Sequence, residues 1–174
     1  LEVVCDPVML LNQKSWEKML KKKEGRPYLV CYFLHKNMFK EEFYIAQKIA
    51  DELELDFKVI NARFSLKSLV SGTILDAGPK EFVNLIANAD YVCTDSFHGT
   101  LFSLIFHKKF SCFDTEKNKH DTRRKGLLES VGAIDAYQYI EKGVKICQFL
   151  DYEEIDKNIL INRAKAEKFL EVLD

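Results

Sequence analysis

Asp90-Tyr91-Val92-Cys93-Thr94-Asp95-Ser96-Phe97-His98-Gly99-Thr100-Leu101-Phe102-Ser103-Leu104-Ile105-Phe106 is the stretch that decides the fold. Its first part, 91–94, is short, apolar and partly β-branched, the composition of a buried strand. Its last part, 101–106, sets Leu101, Leu104 and Ile105 at i, i+3 and i+4, the spacing of a helix packed on one side. Between them stand small and polar residues: Asp95, Ser96, His98, Gly99 and Thr100. A strand that turns directly into a helix exposes the first helical N–H groups, and these with the helix dipole favour an anion. In open α/β sheets such turns lie at the carboxyl ends of the strands, where ligands bind. A histidine there can donate to an anionic ligand or exchange a proton with it. The plainer reading of the same residues is that Asp95 or Ser96 caps the helix, Gly99 permits close packing and His98 is a satisfied, partly exposed side chain.

Outward from this turn, strands and helices alternate. Residues 28–34 are almost wholly apolar, as a strand buried on both faces of a parallel sheet should be. Residues 39–55 read as a helix with Phe43, Ala46, Ile49, Ala50 and Leu53 on its inner face, and 57–62 as a second strand. Residues 63–77 read as loop. Gly78-Pro79-Lys80-Glu81 opens the next helix with a small cap, a first-turn proline and an early acid. After the central strand and helix, 110–113 is a fourth strand, entered through His107-Lys108-Lys109, which complement the C-terminus of the helix before them. A charged loop, 114–122, follows at the same carboxyl edge as Asp95–Gly99. The helix after it carries Arg123, Arg124 and Lys125 at its start and is stopped by Gly132. Cations at a helix N-terminus oppose the dipole, and such violations gather at functional sites.

The chain opens on Leu1 with an Asp6-Pro7 turn and then a helix over 12–23 bearing Trp16, Met19 and Leu20, capped by Asn12 or Ser15. The run Lys21-Lys22-Lys23 reads as a solvated helix end. The expected organisation is a linker and helix over 1–26, an α/β domain over 27–150 and a C-terminal helix over 151–174. The fold class is α/β, a parallel sheet flanked by helices.

Bulk properties narrow the function. A chain of 174 residues fits one compact domain. A formal net charge of −1 gives no bulk attraction to nucleic acid or acidic membranes. No apolar run approaches a membrane span and no signal peptide is visible. The five cysteines have no metal-type spacing. Cys31, Cys93 and Cys112 fall in strand-like runs, where buried reduced thiols are expected, so we expect a reducing cytosol and neither disulfides nor a metal site. G-x-S-x-G and G-x-G-x-x-G are both absent. Arg123 and Arg124 have the geometry to clamp a phosphate or carboxylate. His35 and His120 read as loop or surface residues.

The run from Gly78-Pro79-Lys80-Glu81-Phe82 through Ile86-Ala87-Asn88-Ala89-Asp90 and Thr94-Asp95-Ser96-Phe97-His98-Gly99-Thr100 to Phe106-His107-Lys108-Lys109-Phe110 resembles the polysaccharide pyruvyl transferase family. Asp6-Pro7, Leu10-Leu11 and Trp16 match a further pattern of that family, as do Arg123, Leu127-Leu128 and Gly132. The resemblance spans about residues 1 to 135, and Thr94–Gly99 is its most specific part.

That resemblance implies a glycosyltransferase-B type enzyme of two Rossmann-like halves, of which this chain would be the C-terminal, donor-side half. A preceding N-terminal domain would then complete the cleft, and this chain alone would be inactive. The implied reaction moves a pyruvyl group from phosphoenolpyruvate to two hydroxyls of a sugar, forming a ketal on an exported polysaccharide. Partners are then phosphoenolpyruvate and a sugar or lipid-linked oligosaccharide, in the cytoplasm or peripheral at the inner membrane face, with no separate cofactor. Carried over residue by residue, His98 and Asp95 are the catalytic pair, and Ser96, Phe97, Gly99, Thr100, Arg123, Arg124 and Gly78 bind substrate. Many members have arginine where this chain has Ser96, so Arg123, Arg124 or Lys117 are the candidates to supply that charge. Two rival functions are a nucleotide-sugar-dependent glycosyltransferase of similar fold and a non-catalytic ligand-binding domain.

Overall fold

The computed structural model describes residues 4–34, 39–60, 72–117 and 122–171. Six strands, β1 (Tyr28–Tyr32), β2 (Asp56–Ile60), β3 (Thr73–Ile74), β4 (Tyr91–Thr94), β5 (Lys109–Asp114) and β6 (Tyr137–Tyr139), form one sheet. Every pairing is parallel, and the strand order is β3-β2-β1-β4-β5-β6. Among the described residues six α-helices accompany them: α1 (Gln13–Glu17), α2 (Phe39–Glu52), α3 (Pro79–Asn88), α4 (Phe97–Ile105), α5 (Arg123–Val131) and α6 (Tyr152–Glu171). This is a Rossmann-like α/β sheet, whose direction of growth reverses between the neighbouring strands β1 and β4.

The period-2 alternation of the strands divides the core into two layers. Leu29, Cys31, Tyr91, Cys93 and Phe113 face α2, where Ala46, Ile49 and Ala50 meet them. Tyr28, Val30, Val92, Phe110 and Cys112 face the other way, against α3, α4, α5 and the buried part of α6. The reversal of strand order puts the helices on opposite sides, and their N-terminal ends flank the β1–β4 crevice. Cys31, Cys93 and Cys112 are buried in β1, β4 and β5 as expected, and all five cysteines are free thiols.

Three expectations change. The helix expected over 12–23 is only α1, one short turn capped by Asn12, whose Oδ1 accepts from the Ser15 amide at 2.9 Å. The chain beyond it is drawn onto α3: the Lys21 amide donates to Asn84, the Lys21 carbonyl accepts from Asn88, and Lys23 pairs with Asp90 at 2.7 Å. Fixed partners on a neighbouring helix outcompete a weak, short helix. The sheet also has two strands more than the four expected, because β3 and β6 are too short to leave a pattern. Finally, the residues 107–109 do not serve one helix end. His107 pairs with Asp156 of α6 at 3.0 Å and stacks on Tyr152, Lys108 donates to the Ala89 carbonyl, and Lys109 begins β5.

The segment before β1 is part of the fold. A 3-10 turn, Pro7–Leu10, buries Met9 in the core, and Asp6 caps it by accepting from the Val8 amide at 2.9 Å. Arg163 of α6 donates to the carbonyls of Met9 and Leu11, which holds this turn over the carboxyl end of the sheet. His35, His120 and most of the loop expected over 63–77 lie outside the described residues.

Candidate functional site

The site starts with how β4 hands over to α4. Ser96 caps the helix by accepting from the Gly99 amide at 3.3 Å, so α4 begins at Phe97 and not, as its apolar spacing suggested, at Leu101. His98 and Gly99 therefore lie in the first helical turn. Thr94 locks the corner: its hydroxyl donates to the Tyr32 carbonyl at 2.7 Å and accepts from the Ser96 amide at 3.0 Å. Gly99 is required here by space. A Cβ at that position would stand 2.4 Å from the Thr94 Oγ1. Thr100 faces inward, its hydroxyl donating to the Ser96 carbonyl at 3.0 Å. The amides of Phe97 and His98 make no hydrogen bond among the described residues.

Above this corner opens a cavity of about 860 Å³, lined by Asp6, Met9, Leu34, Asp95, Ser96, Phe97, His98, Arg123, Leu127, Asn162 and Lys165 among others. It lies at the carboxyl ends of β1 and β4, the point where the strand order reverses. Asp95 is buried and its Oδ1 accepts from the Leu34 amide at 2.6 Å, tying the two strand ends together. The His98 side chain is 56% exposed and its Nε2 stands 3.9 Å from Oδ2 of Asp6. The Arg123 guanidinium lies 5.6 Å from the centre of the Phe97 ring, a cation–π contact at the rim.

Of the residues singled out from sequence, the cavity brings together Asp95, Ser96, Phe97, His98 and Arg123. The others are placed differently. Gly99 and Thr100 lie under the wall, where they fix the strand–helix corner. Gly78 caps α3 and does not line this cavity. Arg124 is wholly buried, with NH2 3.0 Å from Oδ2 of Asp114 and NH1 donating to the Phe113 carbonyl. That pairing explains the cations at the start of α5: one of them neutralises a carboxylate at the end of β5.

Around Asp114 the buried polar groups form a set. The Tyr137 hydroxyl donates to Asp114, and burial together with that carboxylate pushes the phenol well above its ordinary range. Burial raises the Cys112 thiol to about 11, against the opposing pull of Arg124. Glu42 in the first turn of α2 is also wholly buried, and burial followed by the Asp95 charge pushes its carboxyl up to about 8. No group of three or more metal-ligating side chains stands together among the described residues.

Sequence reasoning overlooked Asp6, Asn162, Lys165 and Glu42 as members or neighbours of the site. Asp6 carried a signal, its place before Pro7, that pointed only to a turn. Asn162 and Lys165 are three apart on α6, a spacing shared by any exposed helix face. Glu42 did leave a trace: it stands four residues before Ala46 on the apolar stripe of α2, where a carboxylate breaks the pattern.

Fold and cavity thus define a Rossmann-like α/β domain with a crevice at its topological switch point. The sequence model of the polysaccharide pyruvyl transferase family matches residues 1–117 of the 174, and the chain belongs to that family, a family of transferases. The match takes in β1 to β5 and the His98 turn, and stops short of Arg123 and α6. No curated protein matches the chain. Among the described residues no helix is long and apolar enough to cross a membrane.

Proposed function

We propose that the switch-point cavity binds phosphoenolpyruvate and that this chain supplies the donor side of pyruvyl transfer to two hydroxyls of a sugar in a surface or exported polysaccharide. The observation that carries this reading is the placement of His98 in the first turn of α4, at the cavity wall, with Asp6 3.9 Å from its Nε2. In this reading the protonated imidazole gives its proton to the methylene carbon of the enol phosphate. The adjacent carbon becomes oxocarbenium-like, and a sugar hydroxyl attacks it. Breaking the C–O bond to phosphate then lets the second hydroxyl close the ketal. Of the two hydroxyl protons, one replaces that given by His98 and the other leaves with phosphate.

The charges available suit an anionic donor. Arg123 and Lys165 offer positive charge at the cavity from α5 and α6. Ser96 spends its Oγ on the Gly99 amide, and Arg124 is committed to Asp114, so Arg123 and Lys165 take the part of the arginine that many relatives have at the Ser96 position. The acceptor enters from the open side, against the second Rossmann-like half that the two-domain architecture supplies. The donor is a cytosolic metabolite, which places the reaction on the cytoplasmic side with the acceptor free or lipid-linked.

The test is a titration of the chain with phosphoenolpyruvate, followed by backbone amide NMR. Saturable shifts at 96–98 and 123, weakened in His98→Ala, are expected. Shifts produced by a nucleotide sugar and not by phosphoenolpyruvate would replace the pyruvyl reading with glycosyl transfer.

A further inference from the structure

Glu42 is the buried group that the reading above leaves unused. It stands in the first turn of α2, on the stripe continued by Ala46, Ile49 and Ala50, so packing α2 on the sheet carries it inward near the carboxyl end of β1. Its side chain is wholly buried, and neither carboxylate oxygen has a hydrogen-bond partner among the described residues. Among the described residues, the charges that act on it are those of Asp95 after β4, Arg124 of α5, Asp114 at the end of β5 and Glu41 on its own helix, and its own charge acts on the Cys31 thiol of β1. Arg124, the cation of this set, is committed to Asp114 at 3.0 Å. Asp95 reaches the cavity wall and is held there by the Leu34 amide.

We propose that Glu42 is a positioning residue that acts through Asp95: it carries a proton in the working protein, so that no second carboxylate charge stands beside Asp95 beneath the cavity. The physical reason is the environment. An ionised carboxylate with no donor and no solvent is strongly disfavoured, and a second carboxylate nearby adds to the penalty. Burial and the Asp95 charge act in the same direction on Glu42. With Glu42 neutral, the carboxylate that the Leu34 amide holds at the cavity wall has no added charge from Glu42 beside it. When Glu42 ionises in alkali, it adds a negative charge beneath the cavity and repels an anionic ligand. Only the choice of phosphoenolpyruvate as that ligand rests on the function proposed above.

Two measurements decide it. In the wild-type chain with glutamate carboxyl carbons labelled and assigned through the backbone, Glu42 is expected to titrate on the alkaline side of neutrality, with the Leu34 amide shifting in step. Phosphoenolpyruvate affinity is then followed from about pH 7 to about pH 9, where it should fall about fivefold further in the wild type than in Glu42→Gln, whose side chain is neutral throughout. Titration of Glu42 in the ordinary carboxylate range overturns the proposal. So does a parallel loss of affinity in wild type and Glu42→Gln. Absence of any phosphoenolpyruvate binding removes the donor reading above, while the carboxyl titration still decides the state of Glu42, with or without a folded variant.

Discussion

Asp6 holds its carboxylate 3.9 Å from the Nε2 of His98, although 92 positions of chain separate them. The contact exists because Met9 buries the 3-10 turn in the core and Arg163 clamps its carbonyls, which sets Asp6 over the first turn of α4. Asp6 has two functions here that substitution can separate. Asp6→Asn keeps an acceptor for the Val8 amide and removes the charge, whereas Asp6→Ala removes both. Chemical denaturation should show Asp6→Ala less stable by about 1 kcal/mol and Asp6→Asn close to wild type. Under the proposed function, both should lose phosphoenolpyruvate affinity or turnover.

His98 is exposed enough to be removed without disturbing the core. His98→Ala should unfold within about 0.5 kcal/mol of the wild type. Under the proposed function, turnover with phosphoenolpyruvate and a sugar acceptor should fall about 10²–10⁴-fold in this variant, the usual share of a positioned general acid. Full turnover in that variant would move the acid to another residue.

Gly99→Ala tests the corner between β4 and α4. The added methyl has Thr94 Oγ1 in its way at 2.4 Å, and Thr94 cannot yield without releasing the Tyr32 carbonyl or the Ser96 amide. A loss of about 1–3 kcal/mol in urea unfolding is expected, with His98 displaced and ligand shifts altered in parallel.

Neighbouring arginines should behave oppositely. Arg124→Met leaves Asp114 buried without its cation and should cost about 3–5 kcal/mol in stability. Arg123→Ala, at the rim, should leave stability nearly unchanged and weaken phosphoenolpyruvate binding about tenfold. Lys165→Ala should resemble Arg123→Ala, since that side chain also lines the cavity. Calorimetric titration alongside thermal melts separates the two patterns.

Glu42 makes stability depend on pH in a defined direction. Its carboxyl is pushed from 4.5 up to about 8 by burial and then by Asp95, so the folded chain keeps a proton that the unfolded chain releases. Stability contributed by this proton is complete below about 4.5, is lost as the pH rises, and is gone above about 8. The total loss is on the order of 5 kcal/mol. In Glu42→Gln that slope should vanish, as urea unfolding at several pH values will show. A constant difference between the two proteins across that range would place the proton elsewhere.

Much of this architecture was legible locally. The apolar runs at β1 and β4, the proline-led start of α3 and the glycine that ends α5 with a φ of +79° each state their own conformation within a few residues. The strand–helix turn at 94–99 was readable for the same reason, since Thr94, Ser96 and Gly99 solve a steric and hydrogen-bonding problem among themselves. The short strands β3 and β6 were not, because two or three residues carry no period and are held only by the neighbour they pair with.

The candidate site divides the same way. Sequence by itself determined an α/β chain whose central turn presents His98, because helix capping, β-propensity and apolar spacing act over distances of one to four residues. Tertiary structure alone decided which side chains meet that turn. Asp6 and Lys165 come to it from opposite ends of the chain, and Arg124 turns inward while Arg123 turns out, because the sheet had to pair, reverse its order at β1 and β4 and bury Asp114 with a counter-ion. Those are long-range packing and electrostatic choices, and no local spacing encodes them.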